Sequence, residues 1–269
     1  MIEKTVDGVT FLEFSLFKDI NWIKHCFSTR IGGVSEGVYE SLNFVFRPGE
    51  ENNVPENYRR LCKSVGLTYT ALTFSDQKHG NNIRRITRLD KGKGFYLDKD
   101  YSNIDGIITN EARIAMTTFH ADCTPIYLVD TVNKAIGLVH SGWRGTADRI
   151  VENAVNEMIE EFGTKPADIL AGIGPCVSYE CFQVDYPVYE EFMEKFDFAI
   201  KYSMAEPGVR DKYLIDLKGI NKQMLMNMGV LERNIEVANE CTKCDSHRFF
   251  SHRRSGFERG SMVAMMEII

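Results

Sequence analysis

Residues 114–163 read IAMTTFHADCTPIYLVDTVNKAIGLVHSGWRGTADRIVENAVNEMIEEFG, and the hydrophobic period changes partway along them. Ile114–Phe119, Ile126–Val129 and Ala135–His140 are short apolar runs, rich in β-branched or aromatic residues and separated by turn residues, a pattern that predicts strands. From Thr146 the spacing becomes helical. Ile150, Val151, Ala154, Val155, Met158 and Ile159 share one face and Gly163 closes the run, which predicts a helix over Thr146–Phe162. Strands thus come in a group before a helix follows, which points to an α+β fold rather than a doubly wound sheet.

Outward from this stretch, Val9–Phe14, His25–Thr29, Ile83–Thr87 and Ile169–Ile173 repeat the strand pattern. Weaker helical periodicity marks Pro55–Val65, Tyr186–Phe196 and Leu217–Met228. Asp90–Lys99 (DKGKGFYLDK) reads as a hairpin or surface loop, and no repeat or long linker divides the chain. The expectation is one compact α+β domain over residues 1–269, with mixed sheets flanked by helices.

Composition narrows the function classes. The chain has 269 residues, 43% hydrophobic and 26% charged, with a formal charge of −6. Nucleic-acid binders rely on phosphate contacts and carry a basic balance, so DNA and RNA are not expected partners. The densest basic cluster, Arg248, Arg253, Arg254 and Arg259, suits a small anion better than a polymer. The opening residues MIEKTVDG lack the apolar run of a secretory signal, and no apolar stretch reaches membrane-spanning length, so a cytoplasmic protein with no membrane contact is expected. Seven scattered cysteines in that setting are read as thiols.

Several segments carry residues suited to chemistry. His79 lies in SDQKHGNN, His120 and Cys123 in TTFHADCTPIYLVD, and His140 in GLVHSGWRGT, each beside a polar turn at the end of an apolar run. Two imidazoles and a thiolate supply the three protein ligands of an open catalytic zinc site, although spacing alone does not select His79, Cys123 and His140. A rival set is Cys241-x-x-Cys244-x-x-His247, with His252 nearby. It lacks a second well-spaced pair and is read as a turn without metal.

Other segments keep two readings. Ser28–Gly37 (STRIGGVSEG) either brings Arg30 to a phosphate or is a surface loop, and Gly172–Phe182 (GIGPCVSYECF) either cradles an anion or is a plain turn. Asp122 is either a general acid or base, or a carboxylate orienting a histidine. Trp143 and Arg144 either stack on and pair with a substrate or simply pack.

Together the segments FSTRIGGVSEGVYESLNF, DQKHG, DGIITN, HADCTPIYLVD, GLVHSGWRGT, GIGPCVSYECFQV and FFSHRRSG resemble the YfiH-like family, from about Phe27 to Gly256. Its members have been called multicopper polyphenol oxidases, laccase-domain proteins and purine nucleoside phosphorylases. The resemblance implies a single α+β domain with a zinc ion on His79, Cys123 and His140. It also implies phosphorolysis of adenosine, inosine, guanosine and S-methyl-5′-thioadenosine, and deamination of adenosine.

Arg30, Asn43, Gln77, Asp122 and Arg144 fall in family motifs. The resemblance suggests Asp122 and Arg144 for catalysis and Arg30, Asn43 and Gln77 for substrate binding. The C-terminal motif departs from the family: SHRRSGFERG has His252, Ser255 and Arg259-Gly260 where a tyrosine, an aspartate and a Gly-Arg pair are usual. That departure puts a substrate role for this end in doubt. Copper in place of zinc, as a polyphenol oxidase, is one alternative, but only six histidines argue against several coppers. A metal-free hydrolase using Cys123, or a metal-stabilised interaction module, are the others.

Overall fold

The computed structural model describes Met1–Ile269 throughout. It begins with strands β1 (Ile2–Val6), β2 (Val9–Glu13) and β3 (Ile23–Ser28), then helix α1 (Asn53–Val65), β4 (Leu72–Phe74), β5 (Ile83–Arg85) and β6 (Gly106–Thr109). Next come β7 (Ala115–His120), β8 (Thr124–Asp130), β9 (Ala135–Ser141), helices α2 (Trp143–Ala147) and α3 (Ile150–Phe162), and β10 (Ile169–Ile173). The remainder supplies β11 (Gln183–Asp185), α4 (Tyr186–Lys195), β12 (Ser203–Ala205) and β13 (Lys212–Ile215). It ends with α5 (Leu217–Asn227), β14 (Ile235–Val237), α6 (His252–Ser255) and β15 (Met262–Ile268).

Two six-stranded sheets have the orders β1-β2-β3-β15-β7-β4 and β14-β10-β8-β9-β6-β5, and a small sheet has the order β11-β13-β12. Both large sheets are mixed: β4 joins β7, and β5 joins β6, in parallel, while the pairs within each sheet's centre are antiparallel.

Side-chain alternation sorts these strands into layers. Along β8 and β9, Tyr127, Val129, Ile136 and Leu138 face the first sheet and meet Phe27, Met116, Met262, Ala264 and Met266. Their neighbours Ile126, Leu128, Ala135 and Val139 point the other way, into Val151, Ala154, Val155 and Met158 of α3. On the far side of the first sheet, Val263 and Met265 meet Tyr58, Leu61 and Cys62 of α1. The result is helix, sheet, sheet, helix. Because the second sheet is covered on both faces, β8 and β9 are buried at every residue. Tyr127 donates from its hydroxyl to the Cys26 carbonyl at 2.7 Å, a polar link between the sheets.

The mixed-sheet α+β reading is confirmed, with one local correction. The helix expected over Thr146–Phe162 is broken, because Arg149 adopts φ 61° in the left-handed region and α2 and α3 meet there. The break lets the chain turn away from the site that α2 adjoins. Of the two readings of Asp90–Lys99, the loop is the one observed, turned by Gly92 and Gly94 at positive φ. No helix is long and apolar enough to cross a membrane.

Leu138, fully buried between the sheets, is central to this packing. Leu138→Ala is expected to lower stability by about 2–5 kcal/mol. Leu89→Ala, at a side chain that is 81% exposed, should change it by less than about 0.5 kcal/mol. Denaturant midpoints at constant slope compare the two.

Candidate metal centre

β7 belongs to the first sheet and β8 to the second, so Ala121–Cys123 forms a three-residue crossover between them. Cys123 stands at its end. Pairing of Thr124 with Ser141 and of Pro125 with His140 then brings Cys123 alongside the end of β9. His79 arrives from the loop after β4, at φ 62°. The ligand atoms of His79, Cys123 and His140 lie within 4.8 Å of one another.

Asp105, just before β6 and fully buried, joins these segments. Its carboxylate accepts the backbone N–H groups of Lys78 (2.9 Å), His79 (3.0 Å) and Gly80 (2.9 Å). The same carboxylate lies 2.8 Å from Nδ1 of His140. That contact fixes Nδ1 as the protonated nitrogen and turns Nε2 toward Cys123. Gly142 leaves room for the trio: a Cβ there would stand 2.9 Å from the His79 ring and 3.3 Å from the Cys123 sulfur. Any side chain at 142 would intrude on the ligands.

The charges are set by these neighbours. Burial opposes a Cys123 thiolate, but the charge of His140 and hydrogen bonds from His140 and His79 outweigh it and bring the thiol down to about 6. Burial likewise opposes a charged His140, yet the Cys123 thiolate and Asp105 raise it to about 9. Near neutral pH the pair is therefore thiolate and imidazolium, and a divalent cation takes the place of one proton.

A cleft of about 1060 Å³ opens over the trio. Gln77, Trp143 and Arg144 line it, and Arg144 lies over the Trp143 ring at 4.2 Å. Gln77 also braces the wall, since both ends of its amide hydrogen-bond the backbone of Phe119.

Asp122 is in the lining too, but its carboxylate is taken: it accepts from Thr242 Oγ1 (2.6 Å), Ser251 Oγ (2.9 Å) and Arg253 N (2.5 Å). Three of about four lone-pair sites are filled, an arrangement that matches the positioning reading of Asp122 more closely than proton transfer.

Arg30 and Asn43 lie outside the cleft. Arg30 stacks over Phe250 at 4.5 Å and donates to the carbonyl of Glu40. Asn43 is buried and accepts from Ser261 N at 3.1 Å, which steadies the turn after Arg259. Nor does the STRIGGVSEG loop cradle an anion. The amides of Gly32 and Gly33 donate to Ser41 Oγ, and Cβ atoms there would collide with the backbone of Gly8 and Ser41. In GIGPCVSYECF, Gly172 makes way for the ring of Phe14.

The C-terminal segment, whose departures put its role in doubt, forms a cleft wall through His252, Arg253, Phe257 and Arg259. Of the basic cluster, Arg248 is paired with Asp245 and Glu3, and Arg254 caps backbone carbonyls. Residue-by-residue reading of the sequence missed Asp105 and Gly142. Their one signal was position, at the head of DGIITN and between the His and Trp of HSGWRG.

Asp105→Asn is expected to weaken metal binding by about 10–100-fold, because the amide orients His140 poorly. Competition with a chromophoric chelator measures it. The raised His140 value has a further consequence. Between about 6 and about 9, metal binding should release close to one proton, and apparent affinity should rise about tenfold per pH unit. Below about 6 the slope should steepen, as Cys123 is then protonated as well. Calorimetry in buffers of different ionisation enthalpy counts the protons.

Comparison with known proteins places this geometry in a family. A family model described as multi-copper polyphenol oxidoreductase laccase matches residues 24–269. The purine nucleoside phosphorylase YlmD of Bacillus subtilis is 32% identical over 248 residues, covering 89% of this chain and 86% of that protein. A purine nucleoside phosphorylase of Bacteroides thetaiotaomicron is 33% identical over 246 residues, covering 90% of each. The crystal structure of the Bacillus licheniformis protein YfiH superposes with a TM-score of 0.89 at 29% identity, covering 98% of this chain and 97% of that one. The chain belongs to the multi-copper polyphenol oxidoreductase laccase family, also called YfiH-like, among whose members are proteins named purine nucleoside phosphorylases.

Proposed function

We propose that this chain is a zinc-dependent purine nucleoside phosphorylase acting on adenosine, inosine, guanosine or S-methyl-5′-thioadenosine. The observation that carries the reading is a trio suited to a metal and, in the same cleft, arginines that make no ion pair with a carboxylate. Arg259 lines that cleft, donates from Nη1 to Gly260 O and Ser261 Oγ at 2.9 Å, and keeps a buried Nε without a partner. That Nε is closed off from solvent, so the groups a phosphate oxygen would meet are the other guanidinium N–H groups of Arg144, Arg253 and Arg259 along the lining. Phe257 is 85% exposed at the same wall and offers a face for a purine ring.

Zinc suits the donors. Bonds of about 2.0–2.3 Å to imidazole nitrogen and thiolate sulfur set neighbouring ligand atoms about 3.3–3.8 Å apart, within the spread of the trio. Bound there, a zinc ion supplies Lewis-acid charge that stabilises negative charge on the phosphate or the departing purine.

The chain's own residues orient and bind. Asp105 holds His140 and the His79 loop, Asp122 holds the Arg253 segment, and Arg144, Arg253 and Arg259 present cations to the phosphate. In the reaction a phosphate oxygen bonds to ribose C1′ as the C1′–N9 bond breaks. The bonding pair leaves with the base, which takes up the proton that the hydrogen phosphate gives up, and the sugar departs as its 1-phosphate.

Adenosine deamination at the same centre needs a carboxylate free to move a proton, as zinc deaminases use. The carboxylates of Asp122 and Asp105, beside the trio, are both occupied by hydrogen bonds, so the geometry supports phosphorolysis first. A multicopper oxidase needs further ligand clusters, and the only other one is three cysteines.

Base release from inosine or adenosine should rise with added phosphate and saturate, with ribose 1-phosphate as co-product. Arg259→Gln or Arg144→Gln should raise the KM for phosphate about 10-fold or more, as loss of a charge-assisted hydrogen bond does. Base release that ignores phosphate would mean a hydrolase. Activity that survives complete metal removal would shift the chemistry to the Cys123–His140 thiolate pair.

A further inference from the structure

A second group of clustered cysteine sulfurs lies outside the cleft lining. Cys241 and Cys244 share one tight turn after β14, closed by Asp245 N donating to Cys241 O at 3.1 Å. Beside it runs the segment after β10, tied by a parallel bridge between Cys176 and Cys241 and by Thr242 N donating to Cys176 O at 3.0 Å. That register brings up Cys181, at the end of the single 3-10 turn Tyr179–Cys181. The sulfurs of Cys181 and Cys244 are 3.3 Å apart, and all three sulfurs lie within 4.8 Å of one another.

We propose that Cys181, Cys241 and Cys244 form a second metal site, distinct from the His79 centre, that holds a zinc ion on three thiolates. Its fourth position faces solvent beside Cys244, which is exposed. Zinc–sulfur bonds of about 2.3 Å in a tetrahedron separate the sulfurs by about 3.8 Å, so small side-chain rotations complete the shell. Ser178 N donates to the Cys241 sulfur at 3.2 Å, a contact that favours the thiolate. Three thiolates and a zinc ion carry net charge −1. Lys243 lies between the two cysteines of the turn, and Arg254 grips its carbonyls at 3.0 and 2.7 Å.

His247, which spacing alone pairs with this CxxC, is not in the cluster; the fold substitutes a cysteine from 63 positions upstream of Cys244. The site would be structural. Thr242, within the turn, donates to Asp122 at 2.6 Å, and Asp122 adjoins Cys123. A metal joining the two loops would thus stiffen the wall that carries Arg253.

The test is metal content of reduced protein loaded with Zn²⁺ and desalted. Wild type should retain about two ions per chain, and Cys244→Ser and Cys123→Ala about one each, because each variant empties a different site. Cys244 is exposed, so its serine variant keeps the packing. In the Cys123→Ala background, Cd²⁺ should still give the ultraviolet charge-transfer band of a cadmium–thiolate site, and adding Cys244→Ser should diminish it. One zinc per wild-type chain, with no cadmium band in Cys123→Ala, would overturn the proposal. So would a Cys181–Cys244 disulfide mapped in protein isolated without oxidant. Neither result bears on the phosphorylase reading, which rests on the other centre.

Discussion

Four contacts converge on the carboxylate of Asp105, and the geometry of the cleft follows from them. Three come from backbone amides of one loop and the fourth from the ring of His140 on a different strand. A buried carboxylate without partners would be too costly to remain charged. Here burial pushes its pKa up, but the hydrogen bond and charge of His140, with the amides of Lys78 and Gly80, more than reverse this and hold it below the usual range. The charge is thus kept by the two ligand segments it positions. His79, at a left-handed backbone angle on an open loop, would otherwise have many arrangements, and a metal site tolerates few.

Around that point the cleft is assembled from distant parts of the chain. The crossover from the first sheet to the second supplies Cys123 and Asp122, and the start of α2 supplies Trp143 and Arg144. The C-terminal segment is then pinned over the site from two sides. Asp122 binds it at Ser251 and Arg253, while Asn43 binds it at Ser261. Residues that look like ligands in the sequence therefore act as fasteners, and the arginines of the segment they hold line the cleft. Such a division of labour is common where a rigid sheet carries loops that meet a substrate.

Much of the frame was legible in the sequence because its cause is local. The unbroken apolar runs within Thr124–Asp130 and Ala135–Ser141 follow from burial on both faces, and the apolar face of Ile150–Phe162 follows from its sheet contact. Short strands such as Leu72–Phe74 and Gly106–Thr109 carry too few residues to show a period. The centre is different in kind. His140 and Asp105 are 35 positions apart, and Cys181 and Cys244 are 63 apart, so their meeting depends on the whole topology. Residue types allowed the His79, Cys123 and His140 trio, but only the family motifs selected it. Asp122 shows the opposite failure. Its place beside Cys123 suggested chemistry, and only its three donors reveal that it is occupied.

The proposed function requires His79, Cys123 and His140 to bind one zinc ion, with Asp105 orienting them. Diffraction data collected on either side of the zinc absorption edge, from crystals of zinc-loaded protein, test it most directly. An anomalous peak within about 2.0–2.3 Å of all three ligand atoms, with the Asp105 contact to His140 intact, is the expected result. A Cys123 sulfur bonded to no metal while His140 keeps its proton, with zinc bound only elsewhere, would contradict it.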